Sequence, residues 1–460
     1  SDLIDVWFDS GSMPYAQWHY PFENKDDFDQ RFPADFIAEG VDQTRGWFYT
    51  LLVLSTALFN EPPFLNCICH GVILGDGGEK LSKRKKNFAD PNEIINTYGA
   101  DALRWYMMSS PVMRGKEIIM DTKCEGVKET QRLVIKPIWN AYNFFVLYAN
   151  ADEIKAEFDL SSSNLMDQYI IAKCQQAIVN IRKSLDGYDT PSATVAVTEF
   201  FEVLNNWYIR RSRDRFWRSS KDDDKLHAYN TLYSVLHMIA RAGAPLLPMV
   251  FEEIFTSLTG AKSVHLEMFP EVEEAKINTS LLTLMDRVRD ACNAALSIRN
   301  EKNIRVRQPL SSVTFIGVSD ANFPEELRNH ILDEINVKEW KTLDANEITN
   351  FAEYKLKLNF KLIGQRIPAK VKSIIDANKQ NSWDLNNGVL TIAEQQLQPD
   401  EYDLQLSPLD KFVGDVAPLS TNDSLVMLDT EISKDLELEG YARDIVRIIQ
   451  QIRKDKNFDI

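Results

Sequence analysis

Apolar and polar positions change their rhythm twice along this chain. Up to about residue 120, short apolar runs alternate with helix-like stretches. Phe36-Ile37-Ala38 reads as a short strand before a helix that starts near Asp42. Residues 50–59 continue that helix and are apolar almost all round, which predicts burial. Residues 67–74 read as a further buried strand, and Asp90-Pro91-Asn92-Glu93 as a helix start, with Asp as the cap and Pro at the first position. Such alternation implies a parallel sheet flanked by helices, but only part of one, because a complete doubly wound domain needs more strands than occur before residue 110.

From residue 122 the apolar spacing turns helical almost without break. Helices are predicted over 122–149 with a kink at Pro137, then 165–185, 189–219, 225–242, 246–258 and 281–302. Short polar connections between them predict an up-down bundle. After Arg305 the period shortens again. Strands are expected at 312–318, 337–340, 354–360, 389–392 and 402–406, and helices at 360–377 and 436–453. The predicted architecture is therefore multidomain: a partial α/β Rossmann-like domain at 1–121, an all-α bundle at 122–305 and a small α+β domain at 306–460.

Composition narrows the class. The chain has 460 residues, 44% apolar and 26% charged, ordinary for a globular protein of several domains. No apolar run reaches the length of a membrane helix, so no membrane partner is expected. The five cysteines at 67, 69, 124, 174 and 292 are scattered and odd in number, which predicts a reducing, cytoplasmic setting. Cys67-Ile68-Cys69-His70 is too tightly spaced for a zinc site and has no second pair, so no metal is predicted. The net charge of −16 argues against indiscriminate nucleic-acid binding but leaves room for local basic surfaces.

Two basic surfaces stand out. Lys80-Leu81-Ser82-Lys83-Arg84-Lys85-Lys86 places five cations in seven residues after the turn Gly75-Asp76-Gly77-Gly78. Like charges so close repel, and an anion in their midst relieves that repulsion. No Gly-Lys-Ser/Thr cradle precedes them, so this is not a P-loop. Around Trp207, the cations Arg210, Arg211, Arg213, Arg215, Arg218 and Lys221 face a single Asp214, with Phe200, Leu204, Trp207 and Tyr208 on the apolar side. Arginines beside aromatics suit RNA phosphates and unstacked bases, whereas internal salt bridges are the structural alternative. Arg299, Lys302, Arg305 and Arg307 form a further basic group.

The lysine run KLSKR resembles the KMSKS signature of the class I aminoacyl-tRNA synthetases, with Leu for Met and Arg for the last Ser. Asp5-Val6-Trp7-Phe8-Asp9-Ser10-Gly11, Glu39-Gly40-Val41-Asp42-Gln43-Thr44-Arg45-Gly46-Trp47 and Tyr98-Gly99-Ala100-Asp101-Ala102-Leu103-Arg104 resemble further segments of that family, in order, and fit its isoleucine branch best. The valine and leucine branches share the architecture, and a non-enzymatic helical RNA-binding protein is the rival from another class. The resemblance implies activation of L-isoleucine by ATP with Mg, then transfer to tRNA(Ile). Lys80, Ser82 and Lys83 would act on the phosphates. Glu39, Gly40, Asp42, Gln43, His70 and Gly71 would contact the adenylate. Trp7 and Trp47 would flank the isoleucine side chain. Arg210, Arg211, Arg213, Arg215 and Arg218 would bind tRNA through an anticodon-binding bundle. The family's HIGH motif is absent, since none of the histidines at 19, 70, 227, 237, 265 and 330 is paired across a Gly. The chain is thus expected to be the carboxyl-terminal part of a monomeric enzyme whose HIGH half and editing domain precede Ser1, and to be inactive alone.

Overall fold

The computed structural model describes residues 3–82, 84–220, 222–318, 323–386 and 389–456. The chain divides into two compact units, Ser1–Thr279 and Ser280–Ile460.

The first unit begins with short helices, among them α1 (Val6–Gly11), whose first turn is capped by the Asp5 carboxylate accepting from the N–H groups of Trp7 and Phe8. Strand β1 (Ala34–Gly40), helix α2 (Trp47–Phe59) and strand β2 (Phe64–His70) follow, with β1 and β2 paired in parallel. The run predicted as one strand over 67–74 is split. β2 ends at His70, and β3 (Ile73–Leu74) pairs with β4 (Ile118–Ile119) in a separate sheet. Gly71 makes that break, because a Cβ there would lie 1.8 Å from the Lys116 carbonyl oxygen.

Helix α2 departs from expectation too. Phe48, Leu51 and Ser55 are buried, but Leu52, Val53 and Leu58 are about half exposed, so one face packs and the other does not. On the sheet, Phe36 and Leu65 are 51% and 63% exposed, unusual for strands of a parallel sheet. The predicted cap and proline start of Pro91–Tyr98 are present, with Asp90 accepting from the Asn92 N–H.

The helical region of this unit comprises α3 (Lys136–Ala151), α4 (Leu165–Asp186), α5 (Thr190–Val203), α6 (Arg213–Trp217), α7 (Asp223–Gly243) and α8 (Pro248–Thr259). Two of the long predicted helices contain a π-helical turn. Gln131–Ile135 lies just before Pro137, and Leu204–Ile209 follows α5. A π turn inserts residue spacing that a 3.6-residue wheel does not anticipate, so faces drawn across it are misassigned. Asp101 joins this region from the preceding segment: its buried carboxylate accepts from the N–H groups of Met249 and Val250 in the first turn of α8.

The second unit starts with α9 (Thr279–Glu301), which sequence spacing had assigned to the bundle. It holds a four-stranded sheet in the order β12-β13-β5-β6, built from Val416–Pro418, Leu425–Leu428, β5 (Leu310–Ile316) and β6 (Val337–Leu343). β5 and β6 run parallel, joined through the helix Glu325–Ile335, and the other pairs are antiparallel. A second ladder pairs β7 (Ala352–Leu358) with β11 (Tyr402–Pro408), and Trp383–Asn386, Val389–Ile392 and Gln395–Leu397 (β8 to β10) form a three-stranded meander. The helix predicted over 360–377 breaks at Pro368 into Phe360–Arg366 and Val371–Lys379. Helix α10 (Lys434–Asp455) closes the described chain.

The buried Glu401 locks this unit. It accepts from Arg366 Nε at 2.6 Å and from Arg366 Nη2, and also from the Gln398 N–H. The Arg366 hydrogen bonds hold the Glu401 carboxyl below its ordinary pKa of 4.5. A depressed acid contributes stability above its unfolded pKa and loses it as the pH falls through the folded one. The stability of this unit to denaturant is therefore expected to fall as pH drops below 4.5, and Glu401→Gln should flatten that dependence.

Candidate functional site

The parallel register fixes the first cluster. Gly40 and His70 are paired residues at the carboxyl ends of β1 and β2, and Glu39 pairs with Cys69 one step earlier. Ligands of open parallel sheets bind beyond such strand ends. The chain turns at once into a short 3-10 segment, Val41–Arg45, carrying Asp42 and Gln43. Gln43 Nε2 donates to Asp42 at 3.3 Å, while Gln43 Oε1 accepts from the Trp47 N–H at 3.2 Å. Asp42 thus sits beside the helix start without capping it; the capping oxygen is that of Gln43. The His70 ring stays near its own strand, with Nδ1 2.9 Å from the Gly71 carbonyl oxygen, and His70 is exposed.

The two tryptophans take different positions. Trp47 Nε1 donates to the Ser10 carbonyl at 3.0 Å, tying α2 to α1. Trp7 lies against the turn, since a Cβ on Gly46 would be 3.1 Å from Trp7 Cη2, and is 49% exposed. A cavity of about 390 Å³ opens beside β1, lined among others by Phe36, Ala38, Glu39, Trp47, Trp18 and Leu51. The structure brings Glu39 and Trp47 to this cavity, but Trp7 is not among its walls.

The lysine loop is organised by a residue whose role the spacing did not reveal. Asn87 is buried at 7% exposure. Its Nδ2 donates to the Lys80 carbonyl at 3.0 Å, its Oδ1 accepts from the Ser82 N–H at 2.9 Å, and its carbonyl accepts from the Asp76 N–H. Ser82 Oγ in turn accepts from the Lys85 N–H, and Lys85 pairs with Glu79 at 2.6 Å. Lys80 is left exposed at the base of a backbone that its neighbours hold in shape. Lys83 lies outside the described residues.

The arginine group separates into two sets. Arg215, only 13% exposed, makes a two-pronged ion pair with the fully buried Asp167, at 2.7 and 2.8 Å, and reaches Asp224 as well. Burial opposes the Arg215 charge, but the Asp167 hydrogen bonds and field outweigh it and raise its pKa. Tyr208 and Ser162 complete the network by donating to Asp167 at 2.8 and 2.7 Å. Burial first, then the Asp167 charge, pushes the Tyr208 hydroxyl well above its ordinary pKa. Arg218 pairs with Asp222 and Asp224. Both guanidinium groups are engaged inside the bundle rather than presented as a free face. The helix is interrupted at Ser212 and ends at the extended Arg218, so the arginines do not lie along one continuous helix. Lys221 lies outside the described residues.

Arg210 and Arg213 are exposed, and Arg211 is half-buried. The Arg213 guanidinium sits 5.7 Å from the ring centre of Trp217, which is 54% exposed. The later basic group dissolves. Arg299 is 1% exposed and donates to the carbonyls of Arg305, Gln308 and Asn336, its pKa pushed down to about 10 by burial. Lys302 pairs with Asp415, and Arg305 and Arg307 pair with Asp444. Among the described residues no group of three His, Cys, Asp or Glu could hold a metal ion, and no helix is long and apolar enough to cross a membrane.

Known proteins resemble the chain throughout. Residues 1–119 match the family model for class I tRNA synthetases (I, L, M and V), and residues 167–314 match the anticodon-binding domain of tRNA ligase. Isoleucine–tRNA ligase of Rickettsia bellii (strain OSU 85-389) is 50% identical over 481 residues, covering 100% of this chain and 43% of the relative. The isoleucine–tRNA ligase of Rickettsia felis is 49% identical over 494 residues, covering 100% and 45%. The chain thus spans a little under half the length of these relatives. With the strand-end cluster, the lysine loop and the helical region all inside these matches, the chain belongs to the class I tRNA synthetases of the isoleucine, leucine, methionine and valine group.

Proposed function

We propose that this chain is the part of an isoleucine–tRNA ligase that supplies the lysine loop of the active site and the anticodon-binding bundle. The observation that carries the reading is the register of Gly40 with His70 at adjacent strand ends, directly followed by Asp42 and Gln43. In the whole enzyme an isoleucine carboxylate oxygen attacks the α-phosphorus of ATP, and Mg-bound pyrophosphate leaves. A terminal ribose hydroxyl of tRNA(Ile) then attacks the acyl carbon and AMP leaves. Glu39, Asp42 and Gln43 offer acceptors for ribose hydroxyls and the substrate ammonium, and Gly40, His70 and Gly71 offer the strand-end backbone to the adenine. Trp47 walls the side-chain cavity, with Trp7 at its turn. Lys80, Ser82 and Lys83 stabilise charge developing between the α-phosphate and the departing pyrophosphate.

In this reading residues 1–121 complete a catalytic domain, 122–305 form the anticodon-binding domain and 306–460 the α+β domain, working in the cytoplasm. The exposed faces of β1 and α2 are covered by the remainder of the catalytic fold, without which no adenylate forms.

For tRNA(Ile), the contacts fall to Arg210, Arg211, Arg213 and the exposed Trp217. Arg215 and Arg218 hold the bundle in shape beneath them. Base–aromatic stacking is worth roughly 1–3 kcal/mol, so Trp217→Ala should raise the Kd of the chain for tRNA(Ile) by about tenfold. Arg213→Ala should weaken binding and reduce its salt dependence. Equal affinity for tRNA(Ile) and an unrelated tRNA, unmoved by either substitution, would exclude this interface.

A further inference from the structure

Lys80, Arg84, Lys85 and Lys86 are all exposed, and their mutual repulsion favours a splayed loop. One buried side chain opposes it. Lys86 takes a left-handed backbone, with φ 50, and donates its N–H to the Ser82 carbonyl at 2.9 Å, which turns the chain back under the loop. The Asn87 amide there meets both polarities of the backbone above it. Nδ2 donates to the Lys80 carbonyl at 3.0 Å, and Oδ1 accepts from the Ser82 N–H at 2.9 Å. Among side chains of this length only an amide offers a donor and an acceptor together; an ionised aspartate has no donor.

The same residue is anchored below. Its carbonyl accepts from the Asp76 N–H at 2.9 Å, and Asp76 Oδ1 accepts from the Thr122 N–H at 2.9 Å. Gly75 leaves the room: a Cβ there would lie 2.2 Å from the Asn87 carbonyl oxygen and 2.8 Å from its Nδ2. The φ of Gly75, −88, is open to any residue, so glycine serves space here rather than conformation. Leu74, the last residue of β3, bridges to Lys80. The Lys85–Glu79 pair, exposed on both sides, adds little to the shape of the loop.

We propose that Asn87 is a positioning residue for adenylate formation: its amide holds the Lys80 and Ser82 backbone in the shape that presents the Lys80 ammonium to the phosphates before ATP arrives. The inference rests on the reading of the lysine loop as a phosphate site. A charge-stabilising group lowers a barrier most when it is already in place, because ordering it during the reaction adds to that barrier. Asn87 is covered by the loop, so it acts through Lys80 and Ser82.

In a full-length ligase containing this chain, Asn87→Ala is expected to lower kcat for isoleucine-dependent ATP–pyrophosphate exchange by roughly 10²-fold, the scale on which a misplacement of about 1 Å acts. KM for isoleucine should not change, because the loop acts on charge that develops in the transition state. The thermal midpoint should stay close to wild type, since opening of the loop is local. In the chain alone, trypsin should cut after Lys80 several-fold faster in Asn87→Ala. Asn87→Asp keeps the acceptor for Ser82 but, when ionised, sets an oxygen against the Lys80 carbonyl. Its exchange relative to wild type should be low at alkaline pH and rise as the pH falls, because the protonated carboxyl regains the donor. Lys80→Ala is the control. If Lys80→Ala is impaired while Asn87→Ala keeps its kcat, the positioning role is overturned and the reading of the loop stands. Wild-type exchange in both overturns the reading and the inference with it. A loss of kcat that tracks a fallen midpoint, an unchanged tryptic rate, or an Asn87→Asp ratio flat in pH also overturns the proposal.

Discussion

Replacing Asp167 with Leu is expected to destabilise the helical region by about 3–5 kcal/mol, because it leaves the Arg215 charge buried without its main partner. Asp167 is fully buried and accepts from Arg215, Tyr208 and Ser162, so one substitution takes an acceptor from three donors. For a unit of this size the loss corresponds to a fall of roughly 10 °C in the unfolding midpoint, read by calorimetry or circular dichroism. Asp167→Asn keeps an acceptor for Tyr208 but removes the counter-charge, so it should remain strongly destabilised. The diagnostic comparison is the double variant Asp167→Leu with Arg215→Met. Removing both charges restores a neutral interior, and the double change should cost less than the two single changes together. Strict additivity would mean that the pair is not coupled and that Arg215 is free to serve elsewhere. The same comparison separates structural from RNA-contacting arginines, since Arg213→Ala should leave the midpoint nearly unchanged.

The second large effect is expected at Lys80. In a full-length ligase, Lys80→Ala should lower isoleucine-dependent ATP–pyrophosphate exchange by about 10²-fold or more, the scale on which loss of one preorganised charge-stabilising group acts. The side chain is exposed, so stability should not change. Arginine at this position keeps the charge but alters its reach, and partial recovery is expected. An unchanged exchange rate would remove Lys80 from the phosphate site. If instead exchange and stability fell together, the loop would be acting as a structural element. Asn87 offers the contrast, because it holds the carbonyl of Lys80 and the N–H of Ser82 without itself reaching the surface.

Much of the site was legible locally. The Asp90-Pro91 helix start, the strand that leads to Glu39 and Gly40, and the glycine turn before the lysines are dictated by neighbours in sequence, through capping oxygens, the fixed proline φ and the missing Cβ. The functional grouping of arginines was less so. A regular helix through the group assumes constant spacing, and the interruption at Ser212 and the helix end at Arg218 break it. Arg299 gave no sign of burial either, because the carbonyls that satisfy it come from Arg305, Gln308 and Asn336, and only the folded chain assembles them.

Sequence by itself determined the kind of chemistry: a cationic loop after a glycine turn, acceptors and a glycine after a strand, and a long helical region rich in arginine. These depend on residue type and short spacing, which act before any distant contact forms. Tertiary structure decided which charges remain available. Arg215 and Arg218 are paired with Asp167, Asp222 and Asp224, and Arg305 and Arg307 share Asp444, whereas Arg213 stays beside an exposed Trp217. It also decided that helix α10 turns its apolar side outward, since the polar anchors on its other side are supplied by Gln308, Asn336 and Lys338. The physical reason is common to both. Whether a charge or an apolar surface is spent internally depends on partners brought close only by folding, and the energy of each contact falls away over a few ångströms that sequence separation does not measure.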